Sequence, residues 1–410
     1  MTSQADLLTP PGAELLERLG GEDLTPGRAL RLAEELRGRY PPGLIAAALT
    51  QQSLRISARA KFRHADQMLF TRAGLEQASS EQAARHSARR YRHLGAVADL
   101  CCGIGGNLAA LAASSRVLAV DRDPTALAFA RHNALVSGAQ CPVAAVCADV
   151  RELAPRGLDA VFIDPARRAG DRRLRAGVSE PRLDWCVRLT DWAPAVGIKA
   201  APGLPRELIP AGWEAEFLAV GRGLKEALLW SPALATTARR ATILPGGDTL
   251  ISKLGPVVPV APPGEFLLDP NPAVTRAGLV EELARDVGAW KIDPMIAFLS
   301  ADREITTPFA RTLRVLESMP WNEKRAARRL RELDIGSADI RRRGLAGDVD
   351  LIRKRLGLRG ERGATIVLTR REDRPWGLIC VAPDGVAPDG AVSDGPVSDG
   401  FVSGGPVSGG

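Results

Sequence analysis

Between residues 96 and 230 the chain sets short, almost continuous apolar runs between longer mixed stretches. Val97, Ala98, Leu100 and Cys101 make the first run; residues 117–120, Val143–Cys147 and Ala160–Ile163 follow, and 195–198, 213–220 and 227–230 complete seven. Unalternating apolar runs of this length are the pattern of strands buried on both faces, as in a parallel sheet. The stretches between them, such as 108–112 and 181–192, read as helices, so this part of the chain predicts an α/β layer architecture. Upstream, Leu30, Leu32 and Leu36, then Ile45, Ala46 and Leu49, recur at helical spacing around a break at Pro41 and Pro42, which predicts a helical region over 1–95. Residues 236–265 are rich in Pro and Gly with short strand patterns, a linker or a small sheet. Residues 266–382 predict an α+β unit: a helix opening in D-P-N-P-A-V with Asp269 or Asn271 as its cap, a helix over 322–333, and strands over 364–369 and 376–381. Residues 383–410 repeat V-A-P-D-G, V-S-D-G-P, V-S-D-G-F and V-S-G-G-P; so little apolar content cannot offset the entropy of ordering, so a disordered tail with no assigned function is expected.

The first four apolar runs each deliver a carboxylate at or beside their C-terminal end: Asp99, Asp121, Asp149, and Asp164 followed by Pro165. In a parallel sheet those ends line one crevice. Gly103, Gly105 and Gly106 break the first run before a helix, and strand, glycine turn and helix N-terminus bring bare backbone close to a nucleotide. A dinucleotide fingerprint needs glycine at 108, where the chain has Leu108, and a phosphate loop needs Gly-Lys-Ser/Thr, which is absent. A carboxylate ahead of the glycines suits a cationic ligand with an amino group better than a phosphate. These features point to S-adenosylmethionine, with Asp99 and the glycine turn at the methionine part, Asp121 on the ribose hydroxyls and Asp149 on the adenine amino group.

The stretch D-L-C-C-G-I-G-G resembles the first motif of class I methyltransferases, usually D-L-G-C-G-T-G; Cys101 replaces its first glycine, and Asn107 stands where relatives often carry Asp. The resemblance implies a cofactor set of Asp99, Cys101, Gly103, Gly105, Gly106, Asn107, Asp121 and Asp149. The segment M-L-F-T…G-L-E-Q-A-S resembles the one preceding the cofactor domain in a group of bacterial methyltransferases and in cap-guanine hypermethylases, where it folds over the cofactor. It implies Phe70 and Thr71 as lid residues; an ordinary core position is the alternative for Phe70. Asp164-Pro165-Ala166-Arg167 occupies the place of Asp/Asn-Pro-Pro-aromatic in base-modifying methyltransferases, which implies Asp164 and Pro165 as catalytic residues aligning an exocyclic amine, with the Arg167 guanidinium stacking on the base. I-D-P-A-R-R-A-G is also similar to the D-P-P-R-x-G of uridine C5 methyltransferases. Those need a nucleophilic cysteine after the next strand, which here ends in Lys199; Cys186 lies in the preceding helix and reads as core. Transfer to nitrogen needs no covalent intermediate, only alignment. Lys199 reads as a substrate contact or a plain surface lysine.

The C-terminal unit resembles a THUMP-like domain over about residues 309–382, and the match covers most of 30–382, so the chain is identified as a member of the class I methyltransferases with a C-terminal THUMP-like domain. The implied fold is α/β: a seven-stranded Rossmann-like sheet over 96–235, an N-terminal helical region and a C-terminal α+β domain. Composition adjusts this picture. The 410 residues, 45% hydrophobic, suffice for two or three domains, and no run of 18 apolar residues exists. The N-terminal residues lack a signal-peptide pattern, and six scattered cysteines with four histidines argue against a disulfide framework or a metal centre, so a cytoplasmic protein without metal is expected. The net charge of +7 permits a polyanionic partner. From 321 to 362 there are 13 Lys and Arg against seven Asp and Glu, the kind of excess that contacts phosphates, with Arg341, Arg342 and Arg343 as candidate RNA contacts. The expected function is methylation of tRNA or rRNA at a base nitrogen. The alternatives are a small-molecule or protein methyltransferase, or a non-catalytic RNA-binding module retaining the fold; a nicotinamide enzyme ranks last.

Overall fold

Prolines and short polar side chains set where the first helices start. The computed structural model describes residues 4–22, 24–166, 168–169, 172–173, 178–345 and 347–383. Helices α1 (Pro10–Arg18), α2 (Pro26–Leu36) and α3 (Pro42–Ala58) each carry proline in the first turn, where the missing N–H has no helical partner to lose. Thr71 caps α4 (Arg72–Gln77), Ser80 caps α5 (Glu81–Ala88) and Asp123 caps α7 (Pro124–Val136), each side-chain oxygen accepting from the first-turn backbone; the short α6 (Leu108–Leu111) and α8 (Leu183–Val187) complete the set. The expected helix over 181–192 is thus shorter, followed by a 3-10 turn at Arg188–Asp191.

The chain divides into two units, the first holding residues up to Leu218 with Lys225–Ala238 and Leu244–Gly247. Seven of the strands of its main sheet are β1 (Ala96–Leu100), β2 (Arg116–Asp121), β3 (Val143–Cys147), β4 (Ala160–Ile163), β5 (Ala195–Ala200), β6 (Glu214–Val220) and β7 (Gly223–Trp230). They lie in the order β6-β7-β5-β4-β1-β2-β3. β1 pairs in parallel with both β2 and β4, and only β7 is shown running against its neighbour β5. Strand order therefore reverses at β1, and Leu100 lies level with both Val120 and Ile163, so Asp121 and Asp164 emerge on either side of the first strand's end. Tyr91, Phe162 and Trp230 form the aromatic centre of the core, with the Tyr91 and Phe162 rings edge to face. Gly197 makes room for them: a Cβ there would stand 2.2 Å from the Tyr91 hydroxyl. A second core joins α1, α2 and α3 to Phe129 of α7.

The second unit holds Ala219–Leu224, Arg239–Ile243 and the chain from Asp248. Where a linker or small sheet was open, β8 (Arg239–Leu244) and β9 (Asp248–Ile251) form an antiparallel hairpin. Beyond it come β10 (Phe266–Pro270), β11 (Trp290–Lys291), β12 (Leu299–Ala301), β13 (Ala310–Pro320), β14 (Ile335–Arg342), β15 (Arg362–Arg371) and β16 (Arg374–Val381). They form one sheet in the order β11-β12-β10-β13-β16-β15-β14, with α9 (Pro272–Ala277), α10 (Val280–Val287), α11 (Glu323–Glu332) and α12 (Val349–Leu356) accompanying it. Asn271, not Asp269, caps α9, and Asn322 caps α11. β13 and β14 have no counterpart in the sequence reading, because charged side chains interrupt their apolar positions and only one face is buried. Arg167 and residues 384–410, the site and most of the tail singled out from sequence, lie outside the described residues.

Candidate active site

The C-terminal ends of β1 to β4 open into one crevice of about 350 Å³. Its floor is the turn after β1. Cys101, Gly103 and Gly105 all take positive φ (56°, 53° and 84°), which curls the backbone so that Cys102 N–H donates to Val120 O at 3.1 Å and Gly105 N–H to Cys102 O at 2.9 Å. Left-handed backbone is the reason a glycine is usual at position 101, so cysteine there is more than a small-for-small change: it carries about 1–2 kcal/mol of strain. Asp121 fastens the turn from the side, accepting from Gly103 N–H at 2.8 Å and Asp123 N–H at 2.9 Å. Gly105 faces away from the crevice; a Cβ on it would meet Ala130 at 3.0 Å, so it serves the packing of α7. Gly106 and Asn107 line the crevice, Asn107 without capping α6.

Asp99 is 1% exposed, and one of its carboxylate oxygens has no partner. Burial, and then the charges of Asp164 and Asp121, push its carboxyl well above the ordinary range. An orphaned acidic oxygen facing a crevice beside two more carboxylates is a site for a cation. Asp149 also lines the crevice, but Arg151 holds both of its oxygens, at 2.6 and 2.9 Å, and the pair lowers its carboxyl to about 2. Arg151 reaches on to Glu180 at 2.5 Å, a further lining carboxylate that the sequence reading missed. Burial raises the Cys101 thiol beyond its usual range and pushes that of the fully buried Cys186 up to about 12, so neither is poised as a nucleophile.

One wall is α4 with the residues flanking it. Thr71, Ala73, Gly74, Gln77, Ala78 and Ser79 line the crevice. Gly74 lets the helix sit on the turn: a Cβ there would fall 2.5 Å from Ile104. Phe70, expected in the lid, is a core side chain instead. It is 1% exposed and packs against the Phe62 ring at 5.7 Å, in a cluster with Leu54, Met68 and Ile104, because the strand-like entry to α4 turns it inward. Asp164 and Pro165 line the crevice at the tip of β4. Lys199 fits neither expectation: it is 3% exposed, and its Nζ lies 2.7 Å from Asp164 Oδ2 and 3.3 Å from the Gln77 carbonyl. No group of His, Cys, Asp and Glu suited to a metal ion occurs among the described residues.

The second unit corrects the basic run. Arg343 donates to Pro270 O at 3.3 Å, pairs with the buried Asp269 at 2.8 Å and lies 4.5 Å over the Phe298 ring, so it knits the unit together. Arg341 pairs with Asp339 at 2.9 Å; Arg342 is the exposed member.

A parallel sheet reversing at β1, a glycine turn at that point and an antiparallel β7 define the class I methyltransferase fold. Comparison with known proteins agrees. Residues 97–177 match a methyltransferase domain, 310–382 a THUMP domain-like family and 1–60 a domain of unknown function. An uncharacterized S-adenosylmethionine-dependent methyltransferase of Mycobacterium tuberculosis is 39% identical over 323 residues, 74% of this chain and 85% of the relative. A crystal structure of a Porphyromonas gingivalis protein assigned as a methyltransferase shares the fold, with a TM-score of 0.70 at 19% identity over 88% of this chain and all of the other. The chain belongs to the S-adenosylmethionine-dependent methyltransferases and carries a C-terminal THUMP-like domain; S-adenosylmethionine is its cofactor. The residues present fit that cofactor, since the Asp99 carboxyl, with one oxygen unpartnered, offers a cationic ammonium the partner that would let it ionise. No helix among the described residues is long and apolar enough to cross a membrane.

Proposed function

We propose that this enzyme methylates an amino nitrogen of a base in RNA, tRNA or rRNA being the class. The observation that carries the proposal is Asp164-Pro165 at the tip of β4, on the strand next to Asp99 and held by Lys199. In this reading Asp99 takes the methionine ammonium of the cofactor, and the Gly103 and Gly106 backbone passes beneath it. Asp121 keeps the turn in place and accepts from the ribose with its remaining lone pairs, while Asp149, braced by Arg151, borders the adenine. Thr71, Cys101 and Asn107 shape the walls. Asp164 and the Pro165 carbonyl accept hydrogen bonds from the acceptor amine and aim its lone pair at the methyl carbon. The nitrogen–carbon bond forms as the carbon–sulfur bond breaks, the electron pair stays on sulfur, and the proton shed by nitrogen leaves to solvent. The THUMP-like domain and its basic residues, Arg342 foremost, support RNA as the acceptor, and six free cysteines suit the reducing cytoplasm.

The test is tritiated S-adenosylmethionine with total RNA from a strain lacking the gene, followed by mass spectrometry of the nucleosides. A labelled N-methyl nucleoside with wild type and none with Asp164→Ala is expected. Label only in protein or small molecules overturns the RNA acceptor.

A further inference from the structure

Beneath the acceptor end of the crevice lies a buried ionic chain whose inner links, Glu226 and Lys199, do not line the crevice, while its last, Asp164, does. Glu226, on β7, is 3% exposed; one of its oxygens accepts from Ser79 Oγ at 2.9 Å and stands 3.6 Å from Lys199 Nζ, while the other is buried without a partner. Lys199, from the end of β5, is the next link and Asp164 the last. The same ammonium donates to Gln77 O, at the end of the covering helix, whose Leu75 and Ala78 carbonyls are held in turn by Lys61 at 2.6 and 3.4 Å. Two lysines, the buried Lys199 and the half-buried Lys61, thus fix the carbonyl end of α4. A lysine this deep is retained only where carboxylates and carbonyls replace its water.

We propose that Lys199 is a positioning residue for methyl transfer: gripped from below by Glu226, it ties Asp164 Oδ2 to the wall made by α4 and leaves Oδ1 to receive the acceptor amine. The inference rests on the reading of Asp164 given above. It assigns Lys199 a part distinct from substrate contact and brings Glu226 and Ser79, 147 residues apart in the chain, into the acceptor apparatus. Cofactor binding is expected to depend on this link only weakly, because Asp99, the glycine turn and Asp121 belong to β1, β2 and the turn between them, Lys199 is the last of the charges acting on Asp99, and Lys61 holds α4 independently.

The experiment uses the full chain, tritiated S-adenosylmethionine and total RNA from a deletion strain, with RNA concentration varied. Lys199→Ala is expected to lower kcat about 100-fold, the scale of a misaligned reacting group, with KM for RNA and the calorimetric affinity for S-adenosylmethionine within about threefold. Millimolar ethylamine, whose ammonium fills the vacated space beside Asp164, is expected to restore about tenfold of that rate, and tetramethylammonium, which cannot donate, to restore none. If Lys199→Ala no longer folds, judged by loss of S-adenosylmethionine binding, Glu226→Gln replaces it. That variant keeps the shape, and about a tenfold loss of kcat at unchanged cofactor affinity is expected. Full activity of either variant, or loss of activity indifferent to ethylamine in folded Lys199→Ala, overturns the inference. No labelling by wild type overturns the reading beneath it instead.

Discussion

Replacing Asp99 by Asn is expected to make the fold more stable and the cofactor site worse. In the protein without ligand, Asp99 is sealed at the end of β1 with one oxygen unpaired and with Asp121 and Asp164 as neighbours. Burial first, then those two charges, raise its carboxyl above the ordinary range, so the folded chain binds a proton there that the unfolded chain has already released. Stability therefore falls as pH rises above about 4, the unfolded carboxylate range, toward the raised folded value. Asn removes that slope, and with it the cost at neutral pH of a carboxyl that burial and two neighbouring carboxylates keep from ionising, about 1–3 kcal/mol. At about 2–4 °C per kcal/mol for a unit of this size, the melting temperature of the ligand-free protein rises by about 2–12 °C at neutral pH and hardly at all near pH 4. S-adenosylmethionine loses a charge-assisted partner worth about 1.5–3 kcal/mol, which weakens binding about 10- to 150-fold. Differential scanning calorimetry of both proteins across pH, with titration calorimetry of the cofactor, reads all three effects. Wild-type affinity in Asp99→Asn, or a melting temperature no higher at neutral pH, refutes the assignment of the orphaned oxygen to a cationic ligand.

Cys101→Gly relieves left-handed strain and is expected to add about 1 kcal/mol, a rise of about 2–4 °C in melting temperature, with cofactor affinity within about threefold; a lower melting temperature contradicts it. Asp121→Ala removes the acceptor of the Gly103 and Asp123 amides, so it is expected both to destabilise the first unit by about 1–3 kcal/mol and to abolish measurable cofactor binding in calorimetry; binding within twofold of wild type sinks the assignment. In the second unit Arg343→Ala is expected to lower stability by about 1–3 kcal/mol by stripping Asp269 of one of its two arginines, while Arg342→Ala stays within about 0.5 kcal/mol and reduces the salt dependence of RNA binding. Denaturant melts and anisotropy titrations over a salt series separate the two; equal stability losses refute the division.

The seven apolar runs were readable because a strand buried on both faces has no polar position to confuse the pattern, and the acids at their ends were readable because they sit within a residue or two of the break. The same reasoning fails for β13 and β14, where Arg311, Arg314, Glu317, Asp339 and Arg341 face water or one another and break the alternation. It fails also for the run at 341–343, which by composition presents three equivalent charges. On a strand, neighbours point to opposite faces, and past its end the chain turns, so Arg341 and Arg343 each find an acid while Arg342 points outward. Phe70 is the converse case. Its place before a helix that covers the crevice suggested contact with ligand, but the helix presents Thr71 and Gly74 there and turns the ring into the core.

What the sequence did carry, unread, is the charge set inside buried strands. Lys199 closes the run A-V-G-I-K-A, Glu226 opens L-K-E-A-L-L-W, and Glu214 and Glu216 alternate with apolar residues on β6. Such residues are almost never fully buried unless paired, so each one in a strand of this kind announces a partner elsewhere in the chain. The partners are there: Arg90 on Glu214 at 2.6 Å, His86 and the Trp230 indole on Glu216 at 2.7 and 2.9 Å, and Asp164 on Lys199 at 2.7 Å. The first two networks involve residues leading into β1, remote in sequence from β6, and they fasten that lead-in segment to the sheet. The third sits at the C-terminal edge, beside the crevice, and only there does a buried pair include a group that substrate can touch. Position along the strand is therefore the criterion that sets Lys199 apart from the structural charges, and Lys199→Ala is expected to slow methyl transfer where Arg342→Ala weakens RNA binding only.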